Sequence, residues 1–158
     1  MNKKLFKYSI LFLTGMCLYT TIEVMYRSFS YKLMALVGGF CMAFILDKVN
    51  EVLPWDTPLL FQMVISGLLI TVVELISGEF ALRILHVRMW DYRNLFMNCF
   101  DGLVCPLFTF VWILLSGVGI VLCDAINYYV LHEDQRPYYR GVRGNVLFEL
   151  PVRSCENK

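Results

Sequence analysis

Charge is scarce in this chain of 158 residues: only 17% are Asp, Glu, Lys or Arg, where a soluble domain carries roughly 25%. Fourteen basic side chains against thirteen acidic ones leave a net charge of +1, so there is no basic field for nucleic acid and no acidic tail. Catalytic signatures are missing as well. HExxH, GxxxxGK[ST] and GxSxG do not occur. His86 and His132 are the only histidines and neither stands beside a metal-ligand partner, so no metal or other cofactor is expected. The six cysteines show no CxxC spacing, which excludes a zinc ribbon and a thioredoxin-type motif. Cys17, Cys41, Cys105 and Cys123 lie in apolar runs, where Cys acts as a small hydrophobe. Cys99 and Cys105 flank Asp101 and are the one pair with a claim to redox or ligand chemistry; Cys155 lies near the end of the chain.

What the chain has in abundance is apolar surface. Hydrophobic residues make up 58% and aromatics 15%, with a mean hydropathy of +0.60. A soluble fold of this size cannot bury so much. The composition predicts an all-α, polytopic integral membrane protein. A bilayer core of about 30 Å takes about 20 helical residues, and four segments qualify, at 5–26, 31–49, 58–76 and 103–123. These runs are continuously apolar rather than alternating, which argues against a β-barrel. Lys3, Lys4 and Lys7 before an apolar stretch imitate a signal peptide, but the stretch is long enough to span and no A-x-A-like site follows. Met16 precedes Cys17 where a lipoprotein box needs a small residue. The first segment is therefore read as an uncleaved span.

Between spans three and four, the mixture of apolar and charged residues at 78–90 predicts a short interfacial helix, with Trp90 and Tyr92 as headgroup anchors. Residues 127–158 have no sustained periodicity and read as an extended or partly disordered polar tail. With four spans, the N-terminus, the 47–57 loop and the tail share one side and hold nine Lys/Arg, against five on the other. Positive-inside bias then places both termini in the cytoplasm. Ala35, Gly39 and Ala43 form a small-residue face on span two, suited to close helix packing within the chain or between copies.

Chemistry centres on carboxylates. Glu23 and Glu74 each sit in the last turn of an odd-numbered span, at similar depth on the side away from the termini. A charge within a span costs about 2.5–3.5 kcal/mol, so each needs a partner, water or a proton. Glu23–Arg27 and Glu79–Arg83 have the i,i+4 spacing of helix ion pairs. Glu74 has no local partner, and Arg88 or Arg93 are the basic residues expected to fold back onto it. Asp91, between Trp90 and Tyr92, is either a helix cap, a partner for an Arg, or a third polar group of the same site. The cluster reads either as a structural ion-pair network or as a substrate or proton site.

Glu23, Gly38-Gly39, Pro54-Trp55, Gln62-Met63, Ile70-Thr71, Glu74, Gly78 and, most specifically, Trp90-Asp91-Tyr92 form a familiar series. With Trp112, Asp124 and Pro137-Tyr138-Tyr139, the chain resembles a family of small bacterial membrane proteins assigned as ABC-transporter permeases of the CmpB type. The resemblance covers roughly residues 8–140. Arg93 stands where the family usually has Ser, Phe96 where Pro is common, and Asp101-Gly102 where Gly-Gln is typical, marking a divergent member. The resemblance implies a multi-pass protein of the bacterial cytoplasmic membrane.

Two functions follow. One is a transporter, channel or permease-like subunit using Glu23, Glu74 and also Glu79 or Asp91; four spans leave little room for a solute path, so a homo-oligomer or larger membrane complex is expected. The alternative is a non-catalytic assembly, regulatory or immunity factor that binds another membrane protein. An intramembrane enzyme ranks last, because no nucleophile-and-base set is present.

Overall fold

The computed structural model describes residues 3–153, so Cys155 lies outside the described residues. Helix α1 (Lys3–Arg27) is one continuous run. Helix α2 (Lys32–Cys41) passes through a π-helical turn, Met42–Leu46, into α3 (Asp47–Val52), so the second expected span is helical from 32 to 52 but divided in three. Pro58 caps α4 (Leu59–Arg83), and Pro106 opens α5 (Pro106–Ala125), where its missing N–H is no loss. Helix α5 continues through a second π-helical turn, Ile126–Val130. Among the described residues, three helices are long and apolar enough to cross a membrane: Lys3–Arg27, Leu59–Arg83 and Pro106–Val130.

Two expectations need correction. The interfacial helix at 78–90 does not form: residues 78–83 complete α4, and 84–105 is an irregular loop. The apolar pattern of α4 simply runs on past the expected end of the span, through Phe80 and Leu82. The tail is also more ordered than its periodicity implies. Beyond Val130 it forms a hairpin of β1 (Tyr138–Arg140) and β2 (Val146–Glu149), antiparallel, with Tyr139 opposite Phe148. Tyr139 is buried in the main core and donates to the Asp124 carboxylate at 2.7 Å. Tyr138 donates to Asp56 at 2.9 Å, and Arg140 pairs with the same carboxylate at 3.0 Å. The hairpin is short, but these anchors hold it on the end of the bundle that carries the N-terminus.

The helices pack as two hairpins, α1 with α2 and α4 with α5. Glycine permits both approaches. A Cβ on Gly15 would lie 2.6 Å from the Gly38 carbonyl oxygen, and one on Gly67 would lie 2.7 Å from the Ile113 backbone nitrogen. Two residues of the small-residue series on span two pack within the chain: Gly39 faces Phe12 and Met16 of α1, and Ala43 is fully buried. Gly15→Val should force the first hairpin apart, costing about 1–3 kcal/mol as an overpacked contact. Detergent unfolding of the variant against wild type measures it, with Ser9→Ala on the exposed side of α1 as a neutral control.

Candidate functional site

Where the two hairpins meet, the packing is incomplete. An apolar cavity of about 180 Å³ lies between Gly15, Met34, Leu46, Ile70 and Gly119, with Glu74 and Ser116 among its few polar residues. A second cavity of about 390 Å³, nearer the 84–105 loop, is lined by Glu23, Arg27, Glu74 and a set of aromatics. Tyr19, Ile22, Glu74, Trp112 and Leu115 line both, so the two spaces adjoin at Glu74.

Glu74 is 4% exposed. One of its carboxylate oxygens accepts from the Tyr92 hydroxyl at 3.0 Å, the other from the Trp112 indole N–H at 2.9 Å. Each donor belongs to a stacked pair: Tyr92 on Phe108 with centroids 4.3 Å apart, and Trp112 on Tyr19 at 6.3 Å. The carboxylate is therefore clamped between two aromatic stacks by neutral donors. Burial, and after it the neighbouring Glu74 charge, raises the Tyr92 phenol above its ordinary range, which keeps it a donor at physiological pH.

Glu23 has a different environment. Arg27 and Ser30 both bond its carboxylate, and the Tyr19 hydroxyl approaches at 3.4 Å. The other arm of the Arg27 guanidinium donates to the Met89 carbonyl at 2.6 Å, tying α1 to the loop. The loop is fixed further by Trp90, whose N–H donates to the Leu103 carbonyl at 2.9 Å, and by an Arg88–Asp101 ion pair. Its left-handed residues include Met97, Phe100 and Asp101, and only Gly102 carries that conformation without steric cost. The loop covers the second cavity on the side away from the termini.

The family described as "Putative ABC-transporter type IV" matches residues 5–140. The chain belongs to this family. No curated protein and no solved structure matches it significantly. The family segment contains every residue that lines the two cavities. Family membership and the three apolar helices make it a transporter-related membrane protein.

The residues expected to act together divide into two groups. Glu23 and Glu74 face one cavity, as their matching depth implied. Glu79 and Asp91 do not line it. Glu79 pairs with Arg83 as its spacing implied, with Arg83 76% exposed. Asp91 caps no helix; it takes the Arg93 side chain at 2.5 Å and the Arg93 backbone N–H at 3.0 Å. The expectation that Arg88 or Arg93 reaches Glu74 fails, because each has a nearer acidic partner in the loop. Trp90 and Tyr92 face inward, the first against Gly78 and the second onto Glu74, rather than anchoring at headgroups. Cys99 is exposed, Cys105 is buried, and both are free thiols.

Those bonds to Arg93, side chain first and backbone second, hold the exposed Asp91 carboxyl at about 2. A depressed carboxyl stabilises the fold above its ordinary value of 3.8, and that contribution is lost as pH falls through about 2. Asp91 therefore stays ionised between pH 4 and 8. Any pH profile recorded for the protein in that window should be the same for Asp91→Asn; a displaced midpoint would place Asp91 in the site.

Sequence reasoning gave Tyr19 and Phe108 no role, and it named Trp112 only as part of the family resemblance. It also missed a cluster at the opposite end. Lys7 pairs with Asp47 at 3.1 Å, Glu133 at 3.0 Å and Glu51 at 3.3 Å, and Asn127 donates to Asp47 at 2.7 Å. Asp47 follows one π-helical turn directly and Asn127 lies within the other. Lys7 near the start of the first apolar run and Asp47 at the end of the second were the available signal.

Proposed function

We propose that the chain is a four-span transport protein of the bacterial cytoplasmic membrane, both termini cytoplasmic, that binds its substrate in the space between the two helical hairpins. One observation carries the reading: the Glu74 carboxylate is buried at the junction of two cavities and partnered by neutral donors alone. A carboxylate kept only for structure would be expected to have a cation beside it, since an uncompensated charge in a span is costly. Glu23 has one, and we assign it the structural role, with Arg27. The fourth span is the helical path 32–52, which rises about 30 Å at 1.5 Å per residue and so matches a bilayer core. Binding and movement rather than bond-making is the proposed activity. A complete solute path is proposed to require a second copy or a larger membrane partner, as four helices enclose little volume.

A panel of cationic, neutral and anionic small molecules tests this by thermal unfolding of the detergent-extracted chain. At least one class should raise the midpoint in wild type and leave Leu115→Trp unmoved, because Leu115 lines both cavities and an indole there would obstruct the place where they adjoin. No class acting in that Leu115-dependent way would refute the reading.

A further inference from the structure

The ligand's chemical class can be read from the charge and shape of the same space, and the inference rests on the proposal that this space is a ligand site. Three charged side chains line the larger cavity: Glu23, Arg27 and Glu74. Glu23 and Arg27 neutralise each other, and Arg27's remaining arm is committed to Met89. The smaller cavity has Glu74 as its one charged residue. An empty site therefore presents one uncompensated carboxylate, flanked by the rings of Tyr19, Trp112, Tyr92 and Phe108.

We infer that the site takes a monovalent organic cation with an apolar body. The cationic group would sit against the Glu74 carboxylate among the aromatic faces, where the ring quadrupoles also favour it. Hydration lost on entry is replaced at that point by the carboxylate. The apolar body extends into the cavity bounded by Ile70, Leu46 and Gly119, which offers almost no polar surface to an anion or a hydrogen-bonding solute. Arg27 does not oppose such a ligand, because Glu23 and the Met89 carbonyl hold it to the side. An anion would meet the Glu74 charge, with Tyr92 and Trp112 already donating to that carboxylate and the one unbonded donor, Arg27 Nε, on a guanidinium already neutralised by Glu23.

Isothermal titration of the full chain in lipid nanodiscs tests the class with near-isosteric probes. Tetraphenylphosphonium carries the positive charge, tetraphenylborate the negative, and triphenylphosphine oxide is neutral. The phosphonium should bind once per chain, at least about tenfold more tightly than either other probe. Glu74→Gln, which keeps the side chain's shape, should weaken it at least tenfold. Tyr19→Leu, which leaves the carboxylate in place, should weaken it several-fold. Leu115→Trp should abolish it. Equal binding of the borate or the oxide at a Leu115→Trp-sensitive site would overturn the cation assignment while leaving the ligand site standing, as would phosphonium binding indifferent to Glu74→Gln. Absence of any Leu115→Trp-sensitive binding among the three probes would overturn both.

Discussion

Lys7→Met is expected to be among the most destabilising single changes in this protein, at about 3–5 kcal/mol, although Lys7 lies in the second turn of the chain's first helix. The Asp47 side chain is wholly inaccessible, and one of its oxygens takes both Lys7 and Asn127. Its other oxygen has no partner among the described residues. Removing the ammonium leaves a buried carboxylate with one neutral donor, and breaking one half of a buried pair costs far more than the pair itself is worth. The double variant Lys7→Met/Asp47→Leu should accordingly recover most of the loss, because nothing charged then remains inside. Glu51 and Glu133 are nearly half exposed and tolerate the loss of Lys7 through solvent. Unfolding of the three chains in mixed micelles gives the coupling directly. Additive losses in the double variant would mean that Lys7 and Asp47 do not act as a pair.

The second large effect concerns the loop at the other end. Arg27→Met removes the side chain that both neutralises Glu23 and holds the Met89 carbonyl, which is the tie between α1 and the 84–105 loop. A hydrogen bond to a charged group contributes about 1.5–3 kcal/mol, which corresponds to about a 10–150-fold rise in the opened loop population. Limited trypsin cleavage after Arg88 and Arg93 reads that population, and should accelerate by a comparable factor. Arg27→Lys should rescue little, since one ammonium cannot reproduce a guanidinium divided between two acceptors. Cleavage at the wild-type rate would show that Tyr92–Glu74, with the internal Trp90–Leu103 and Arg88–Asp101 contacts, holds the loop without Arg27.

These two ends explain what could and could not be read from sequence. Long apolar runs fix helices almost by themselves in a bilayer, because every backbone polar group must be satisfied within its own segment; α1, α4 and α5 were legible for that reason. Local pairs were legible too: Glu23–Arg27 and Glu79–Arg83 follow from helix geometry. The path of the 84–105 loop was not. Its residues alternate apolar and charged like an interfacial helix, yet Trp90 and Tyr92 turn inward because Leu103 and Glu74, 13 and 18 residues away, offer them bonding partners beyond the reach of helix spacing. Glu74 shows the same limit at the site itself. Its need for partners was evident from its place in a span, but the partners are an indole and a phenol rather than the nearest arginines, and aromatic donors carry no charge pattern to betray them. The hairpin beyond Val130 escaped notice because three- and four-residue strands are too short for a periodic signal.

A molecule held in the space beside Glu74 is the central expectation. Native mass spectrometry of the full chain, extracted gently from its own membrane, addresses this most directly. Wild type should retain a defined small-molecule mass at one per chain, and Leu115→Trp, extracted identically, should not. A wild-type spectrum with no bound small molecule, or a bound mass that persists in Leu115→Trp, would contradict it.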